Sequence, residues 1–259
     1  MNFKRETLDI KGSRVESILI QTNEQNSLTR SSLLEFRAIM EELKNDNSVK
    51  AVILGSENEK FFSNGVDASQ VAKTPKEDLA EEMGEIVKFF SYLMQFYKPL
   101  VAEIGGYAMG GGAVLALACD FRHMLNQKGR LSFTEVFFGL PLPGIFIEKI
   151  KLSVSPAFIN DMIYGGIYKA DEAKQIGFIH EISTTKEELR KITVKKLETI
   201  TRIPISAFMK TKLSLHHDIV KSIDFHAKIL SENFSNVTIQ ANLMEAMTAF
   251  TEQRRPKFI

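Results

Sequence analysis

Between a β-branched run and an apolar stretch lies Gly105-Gly106-Tyr107-Ala108-Met109-Gly110-Gly111-Gly112, five glycines in eight residues. Glycine lets the main chain approach a ligand closely, and the start of a following helix offers N–H groups that have no partner inside the helix. That combination suits an anion or a developing oxyanion. It equally suits tight packing of a strand on a helix, and spacing alone does not choose between the two. A dinucleotide fingerprint needs glycine at i, i+2 and i+5. Counting from Gly105 puts Tyr107 in the second place and counting from Gly106 puts Ala108 there, so the pattern fails; no Gly-Lys-Ser follows for a phosphate loop. A second glycine-bearing turn, Phe61-Phe62-Ser63-Asn64-Gly65-Val66-Asp67, precedes this one by about 45 residues. Further on, Glu135 stands beside Phe137 and Phe138, whose company could bury it and raise its pKa. A solvated glutamate at a strand end is the plainer alternative. The histidines at 123, 180, 216, 217 and 226 show neither metal-ligand spacing nor a serine-centred nucleophile motif, which leaves them surface or structural roles. For His216 and His217 the one further role is a contact across a subunit interface.

These groups need elements to hold them. Val15 to Ile20 and Ala51 to Leu54 are short β-branched runs, as expected of buried strands. Between them Leu33, Phe36, Ile39, Met40 and Leu43 follow helical spacing, with Thr29 or Ser32 as cap and Asn45-Asp46-Asn47 as stop. A longer stripe runs through Leu79, Met83, Ile86, Val87, Phe90, Leu93, Met94 and Tyr97; Thr74-Pro75 offers it a cap and a first-turn proline, and Lys98-Pro99 ends it. The strand Leu100 to Ile104 leads into the glycines and then an apolar helix, Ala113 to Cys119. Strands are expected at Asp120 to Leu125 and Arg130 to Phe133, before a loop marked by Pro141 and Pro143. From Lys186 onward the chain reads as successive helices broken at Ile203-Pro204 and around His216 to Asp218. This divides it into an α/β core, 1–195, and a helical segment, 196–259.

The composition bounds the partners. Of 259 residues, 44% are hydrophobic and 25% charged, a profile of ordinary globular proteins. Thirty-three Lys and Arg against 32 Asp and Glu leave a net charge of +1, too little for a field that attracts nucleic acid or an anionic membrane. An anionic ligand must be met locally. The longest uncharged stretch, Ile104 to Cys119, is 16 residues rich in glycine, short of the roughly 20 apolar residues of a membrane span. The opening residues, Met1 to Glu6, carry charge with no apolar run behind it, so no signal peptide is expected. A lone cysteine, Cys119, forms no internal disulfide and fits a reducing compartment.

Taken in order, these segments resemble the enoyl-CoA hydratase/isomerase family, also called the crotonase family. That family shows Phe-(Ser/Ala)-x-Gly-x-Asp, then Asn-Gly-x-x-x-Gly-Gly-Gly, then Cys-Asp. The counterparts here are Phe62 to Asp67, Gly105 to Gly112 and Cys119-Asp120. Phe133 to Pro141 is similar to the family's Pro-Glu-x-x-x-Gly segment, Ala170 to Gly177 to a further one, and Ala249 to Phe258 to its closing pattern. The likeness therefore covers nearly the whole chain.

The resemblance implies the α/β spiral of β-β-α units with a C-terminal helical segment used in trimer contacts, assembled as a homotrimer or a pair of trimers. It implies an acyl-CoA thioester substrate, with coenzyme A as part of that substrate, no separate cofactor and no metal. The main-chain N–H groups of Val66 and Gly111 become the oxyanion donors, with Gly65, Asp67, Gly110 and Gly112 in the substrate-binding turns around them. The family offers two carboxylate positions; one is Val114 here and the other is Glu135. Hydration is usually assisted by both, whereas moving a double bond needs one base that removes a proton and returns it elsewhere. The single Glu135, with Val114 as an apolar wall, favours a 3,2-enoyl-CoA isomerase. A hydratase or a related lyase or decarboxylase on the same fold is the alternative, and a non-catalytic acyl-CoA-binding protein the third reading. Glu103 departs from the family's small or apolar residue, either as an ion-paired or partner-facing carboxylate or as a substitute second acid. Arg254, Arg255 and Lys257 form a solvated terminus or meet the CoA phosphates. The closing Lys257-Phe258-Ile259 is not a Ser-Lys-Leu peroxisomal address, which favours the cytoplasm.

Overall fold

A hairpin opens the chain. Strands β1 (Phe3–Ile10) and β2 (Ser13–Ile20) pair antiparallel across Lys11-Gly12, both at positive φ, the conformation that matches a two-residue turn to strand twist. The computed structural model describes residues 1–75, 77–127 and 129–259. Helix α1 (Arg30–Asn45) follows, its start closed reciprocally by Thr29 and Ser32 and its face of Leu33, Phe36, Met40 and Leu43 buried. Then come β3 (Val49–Ser56), β4 (Phe61–Ser63), α2 (Ala68–Val71), α3 (Leu79–Met94), β5 (Leu100–Ile104), β6 (Tyr107–Met109) and α4 (Gly111–Ala118). Strands β7 (Phe121–Leu125) and β8 (Leu131–Ser132) precede a 3-10 turn at Glu135–Phe138, α5 (Gly144–Lys151), α6 (Ile159–Ile163), α7 (Ala170–Gln175) and β9 (Glu181–Ser183). The chain closes with α8 (Lys186–Ile200), α9 (Ile205–Leu215), α10 (His217–Lys221), α11 (Ile223–Ser235) and α12 (Val237–Thr251).

Two sheets organise these elements. The larger has the order β1-β2-β3-β5-β7-β9, parallel from β2 onward, and its interior strands are largely buried, as in parallel sheets covered by helices. The smaller, β4-β6-β8, is parallel throughout. Helix α4 is apolar all round and every residue of it is buried, as a central helix must be. Among the described residues no helix is long and apolar enough to cross a membrane.

The structure departs from the sequence reading in places. Strand β1 and the short strands β4, β6 and β9 carried no recognised signal. Helix α3 begins at Leu79 after Asp78, and Thr74-Pro75 does not cap it. Thr74 instead closes the turns after α2, its N–H and hydroxyl both donating to Gln70 O. Residue 195 falls inside α8, which packs on β5, β7 and β9. Helices α11 and α12 then fold back onto α2, α3 and the 3-10 turn of the core.

Candidate active site

The three strands of the small sheet end side by side, and each runs into one functional segment. Ser63 of β4 pairs with Ala108 of β6, and Met109 with Ser132 of β8. Past these ends come Gly65-Val66, Gly110-Gly111 and Thr134-Glu135. Ligands in parallel α/β folds gather at the carboxyl ends of strands for this reason: several turns are delivered to one place.

Each turn is held so that an amide is left over. Leu28 N donates to Gly65 O at 2.7 Å and Asp67 N donates to Leu28 O at 2.9 Å, which fixes the groups on either side of Val66 and turns its own N–H the other way. Gly65 has φ +82° and a Cβ there would come within 2.8 Å of Gly111 N, so this turn requires glycine. In the neighbouring turn Gly110, at φ +48°, donates to Ser132 O at 2.8 Å and opens α4. Gly111 is the first residue of α4, where N–H groups have no partner within the helix. The two turns touch: a Cβ on Gly111 would lie 3.5 Å from Val66 N. At Gly112 a Cβ would fall 2.2 Å from Ser63 O, so the glycine run serves close packing of α4 on β4 as well as the free amides.

A cavity of about 840 Å³ opens over these amides. Val66, Asp67, Gly110, Gly111, Val114 and Glu135 line it; Gly65 and Gly112 lie behind its wall. Glu135 begins the 3-10 turn, which Gly139 ends at φ +71°. The residue is half-buried and its exposed part faces the cavity, while Oε2 is buried with no hydrogen-bond partner. Burial disfavours the charged carboxylate and pushes its pKa up to about 7. Phe138 contributes to this enclosure; Phe137 does not, being 53% exposed and turned towards Gly165.

Of the other acids, Glu24 lines the cavity from the exposed loop before α1, and the rest are committed elsewhere. Asp67 caps α2, accepting from the N–H groups of Ser69 at 3.0 Å and Gln70 at 3.2 Å. Glu103 does not reach this site. It faces a separate cavity of about 690 Å³ under α8 and pairs with Arg190 at 2.8 Å. It is therefore an ion-paired carboxylate and not a substitute second acid. Asp120 joins the start of β5 to α9, accepting from Leu100 N at 2.9 Å and pairing with Lys212 at 3.0 Å. His216 is buried within its own chain, with Nε2 2.7 Å from Lys149 Nζ, which corrects the expectation of a subunit contact. At the chain end Arg254 is clamped by Glu245 and Glu252, each at 2.6 Å, and Arg254, Arg255 and Lys257 stand outside the cavity wall. Among the described residues no group of three or more His, Cys, Asp or Glu is placed to hold a metal ion.

Asn26 was missed. Buried at φ +50°, it donates to Ser56 Oγ at 2.7 Å and to the carbonyls of Phe61 and Phe62 at 3.2 Å, while its own carbonyl accepts from Ser63 Oγ. This bracket fastens the turn before α1 to β4 and so supports Val66. Asparagine tolerates the left-handed conformation, but nothing in Asn23 to Ser27 distinguishes it from an ordinary polar loop.

The fold thus brings two main-chain amides and one half-buried carboxylate to the wall of one cavity, an arrangement that could stabilise an oxyanion and move a proton. The chain matches the enoyl-CoA hydratase/isomerase family over residues 11–259 and belongs to that family; it is an acyl-CoA enzyme of the crotonase class. It is 28% identical over 235 residues to the short-chain-enoyl-CoA hydratase of Clostridium acetobutylicum, covering 89% of this chain and 88% of that one. It is 26% identical over 237 residues to the crotonyl-CoA hydratase of Syntrophomonas wolfei, covering 90% of each. Its fold superposes on human mitochondrial delta3-delta2-enoyl-CoA isomerase with a TM-score of 0.88 at 22% identity, over 98% of this chain and 99% of that one. A methylmalonyl-CoA decarboxylase superposes with a TM-score of 0.82 at 17% identity, over 100% of this chain and 98% of that one. At such identities the structural likeness establishes the shared fold.

Proposed function

We propose that this chain is a 3,2-enoyl-CoA isomerase. The observation that supports it is the carboxylate inventory: Glu135 stands with an unpartnered oxygen in the cavity wall, Val114 beside the amides is apolar, Asp67 is occupied as a helix cap, and Glu24 stands exposed on the loop before α1. The thioester carbonyl sits against the N–H groups of Val66 and Gly111. Glu135 removes a proton from the carbon next to the carbonyl, and the electrons pass to the carbonyl oxygen, where the two amides and the positive end of α4 hold the charge. The resulting carboxylic acid returns the proton two carbons further on, the electrons flow back, and the double bond has moved into conjugation. The proton count is unchanged at the end. A chamber with apolar walls disfavours an ordered water that would add across the double bond.

Hydration is the second reading, and the names of the relatives at 26% and 28% identity favour it. One assay separates the two. Purified protein given a 3-enoyl-CoA gains the ultraviolet absorbance of a conjugated thioester if it isomerises. Given a 2-enoyl-CoA, it loses that absorbance if it hydrates. Loss with the 2-enoyl substrate and no gain with the 3-enoyl substrate overturns the isomerase reading; tight binding with neither change makes the chain an acyl-CoA-binding protein.

Arg255 and Lys257 follow closely on Gln253, which lines the cavity, and are proposed to meet the CoA phosphates; Arg254 keeps its charge for Glu245 and Glu252. Salt that weakens CoA binding in the wild type and equally in a double alanine variant at these two positions removes that assignment. Assembly as a trimer or a pair of trimers is supported by apolar side chains standing exposed on the last helices, Phe225 at 63% and Val237 at 77%. Sedimentation measures it directly. The enzyme is proposed to work in the cytoplasm.

A further inference from the structure

The cavity wall divides by polarity. Asn23, Glu24, Gln25 and Ser27 before α1, and Asn64 and Asp67 before α2, give it polar side chains. Six residues of its apolar part come from three helices: Met83, Ile86 and Val87 of α3, Phe146 of α5, and Leu230 and Phe234 of α11; Met247 and Phe250 of α12 add to it. Five of these six are buried side chains of the main core whose remaining surface faces the cavity, and Ile86 packs against them. Val114, beside the amides, belongs to the same cluster, so the apolar lining is continuous with the reacting centre. Water in such a space finds few polar partners, which favours an apolar occupant. At about 840 Å³ the cavity is near the top of the range for small-molecule sites, roughly 300 to 1,000 Å³. A short acyl group would leave much of the α3, α5 and α11 wall uncovered. Helix α11 comes from the same chain and packs on both α3 and α5, so one chain completes this wall by itself.

We propose that the α3–α5–α11 wall takes the acyl chain of a medium- or long-chain substrate, roughly eight carbons or more, and that Val87 and Leu230 set its limit. The inference rests on the reading of the chain as an acyl-CoA enzyme and names its substrate class. It does not depend on which reaction Glu135 performs, because saturated acyl-CoAs with no double bond to move occupy the same wall.

Calorimetric titration of the full chain with butanoyl-, hexanoyl-, octanoyl- and decanoyl-CoA tests it. A fully buried methylene tightens binding about fourfold, the equivalent of ~0.8 kcal/mol. Octanoyl-CoA is therefore expected to bind at least tenfold tighter than butanoyl-CoA. Val87→Phe fills the wall and is expected to reduce that ratio to about twofold. Leu230→Ala lengthens the pocket and moves the tightest-binding chain to a longer homologue; having two variants of opposite sign guards against one that fails to fold. Equal affinity for butanoyl- and octanoyl-CoA in the wild type overturns the proposal. So does a steep chain-length dependence that both folded variants leave intact, since the acyl group then lies elsewhere. Failure of the isomerase assay alone would leave these affinities untouched, so the two readings fail separately.

Discussion

Glu135 and Gly110 face one another across the wall of the cavity: a Cβ on Gly110 would come within 3.8 Å of Glu135 Oε1 and within 2.9 Å of Thr134 Oγ1. The turn that opens α4 and the turn that presents Glu135, the proposed base, are thus in near contact. Gly110→Ala adds a methyl there and also forces an alanine to φ +48°, a conformation costing about 1 kcal/mol or more. We expect kcat to fall roughly a hundredfold while the variant stays folded, because a small misplacement of reacting groups costs that much. Steady-state kinetics beside circular dichroism checks it; unchanged kcat would show that this contact does not position the base.

Glu135→Gln removes the proton acceptor and keeps the shape. Turnover is expected to drop by about 10² to 10⁴ with the fold intact. For the wild type, a base that must be ionised and whose pKa is about 7 gives a kcat/KM that rises with pH through 7 and then levels. A profile already flat between pH 5 and 8 would assign the proton transfer to another group.

The same carboxyl group links stability to pH. Its pKa in the folded chain lies above the usual 4.5, so between pH 4.5 and 7 the native state holds a proton that the unfolded chain has lost. Glu135 therefore costs stability as pH rises through this window. Glu135→Gln, which never ionises, is expected to be more stable than the wild type by roughly 1 to 3 kcal/mol at pH 8 and nearly equal to it at pH 4.5. Urea titrations at the two pH values measure the difference, and a penalty that is the same at both would refute the burial argument.

The proposed oxyanion donors are main-chain atoms, so side-chain deletion should spare them. Val66→Ala is expected to change kcat/KM only a few-fold. Val66→Pro lacks the N–H and should lose about 2.7 to 4 kcal/mol of transition-state stabilisation, measured as a hundredfold or greater fall in kcat. Near-normal turnover by folded Val66→Pro would remove this amide from the mechanism.

Glu103→Gln separates architecture from chemistry. Arg190 is left without its carboxylate partner at 2.8 Å, but it is 30% exposed and water can solvate it, so the loss should be about 1 to 2 kcal/mol. Thermal unfolding reads this loss, and kcat should stay within twofold because the residue lies in the other cavity.

Legibility followed from how local each signal is. The α1 stripe and its Thr29 cap lie within one segment, and a 3.6-residue period reveals both. Glu135, Val66 and Gly111 were found because their turns resemble those of a family, and their convergence could not have been read from spacing. The small sheet that produces it has strands of two or three residues, Phe61–Ser63, Tyr107–Met109 and Leu131–Ser132, too short for any alternation to register. Strand β1 was passed over because Lys4, Arg5 and Glu6 read as a polar lead, although Phe3 and Ile10 bury its two ends. Thr74-Pro75 looked like a helix start because cap chemistry is the same whether a threonine opens one helix or closes the turn of another. That Leu230 and Phe234 line the cavity is a long-range fact that no local pattern in a run of helices can show.

Three neighbouring ribbons of backbone, a few residues each, carry every moving part of the proposed reaction. A shift that improved the aim of one would drag the others off target, so the catalytic geometry behaves as a single heritable unit. Exchanging a side chain of the chamber, such as the valine at 114, leaves that aim untouched, whereas moving any one strand end does not.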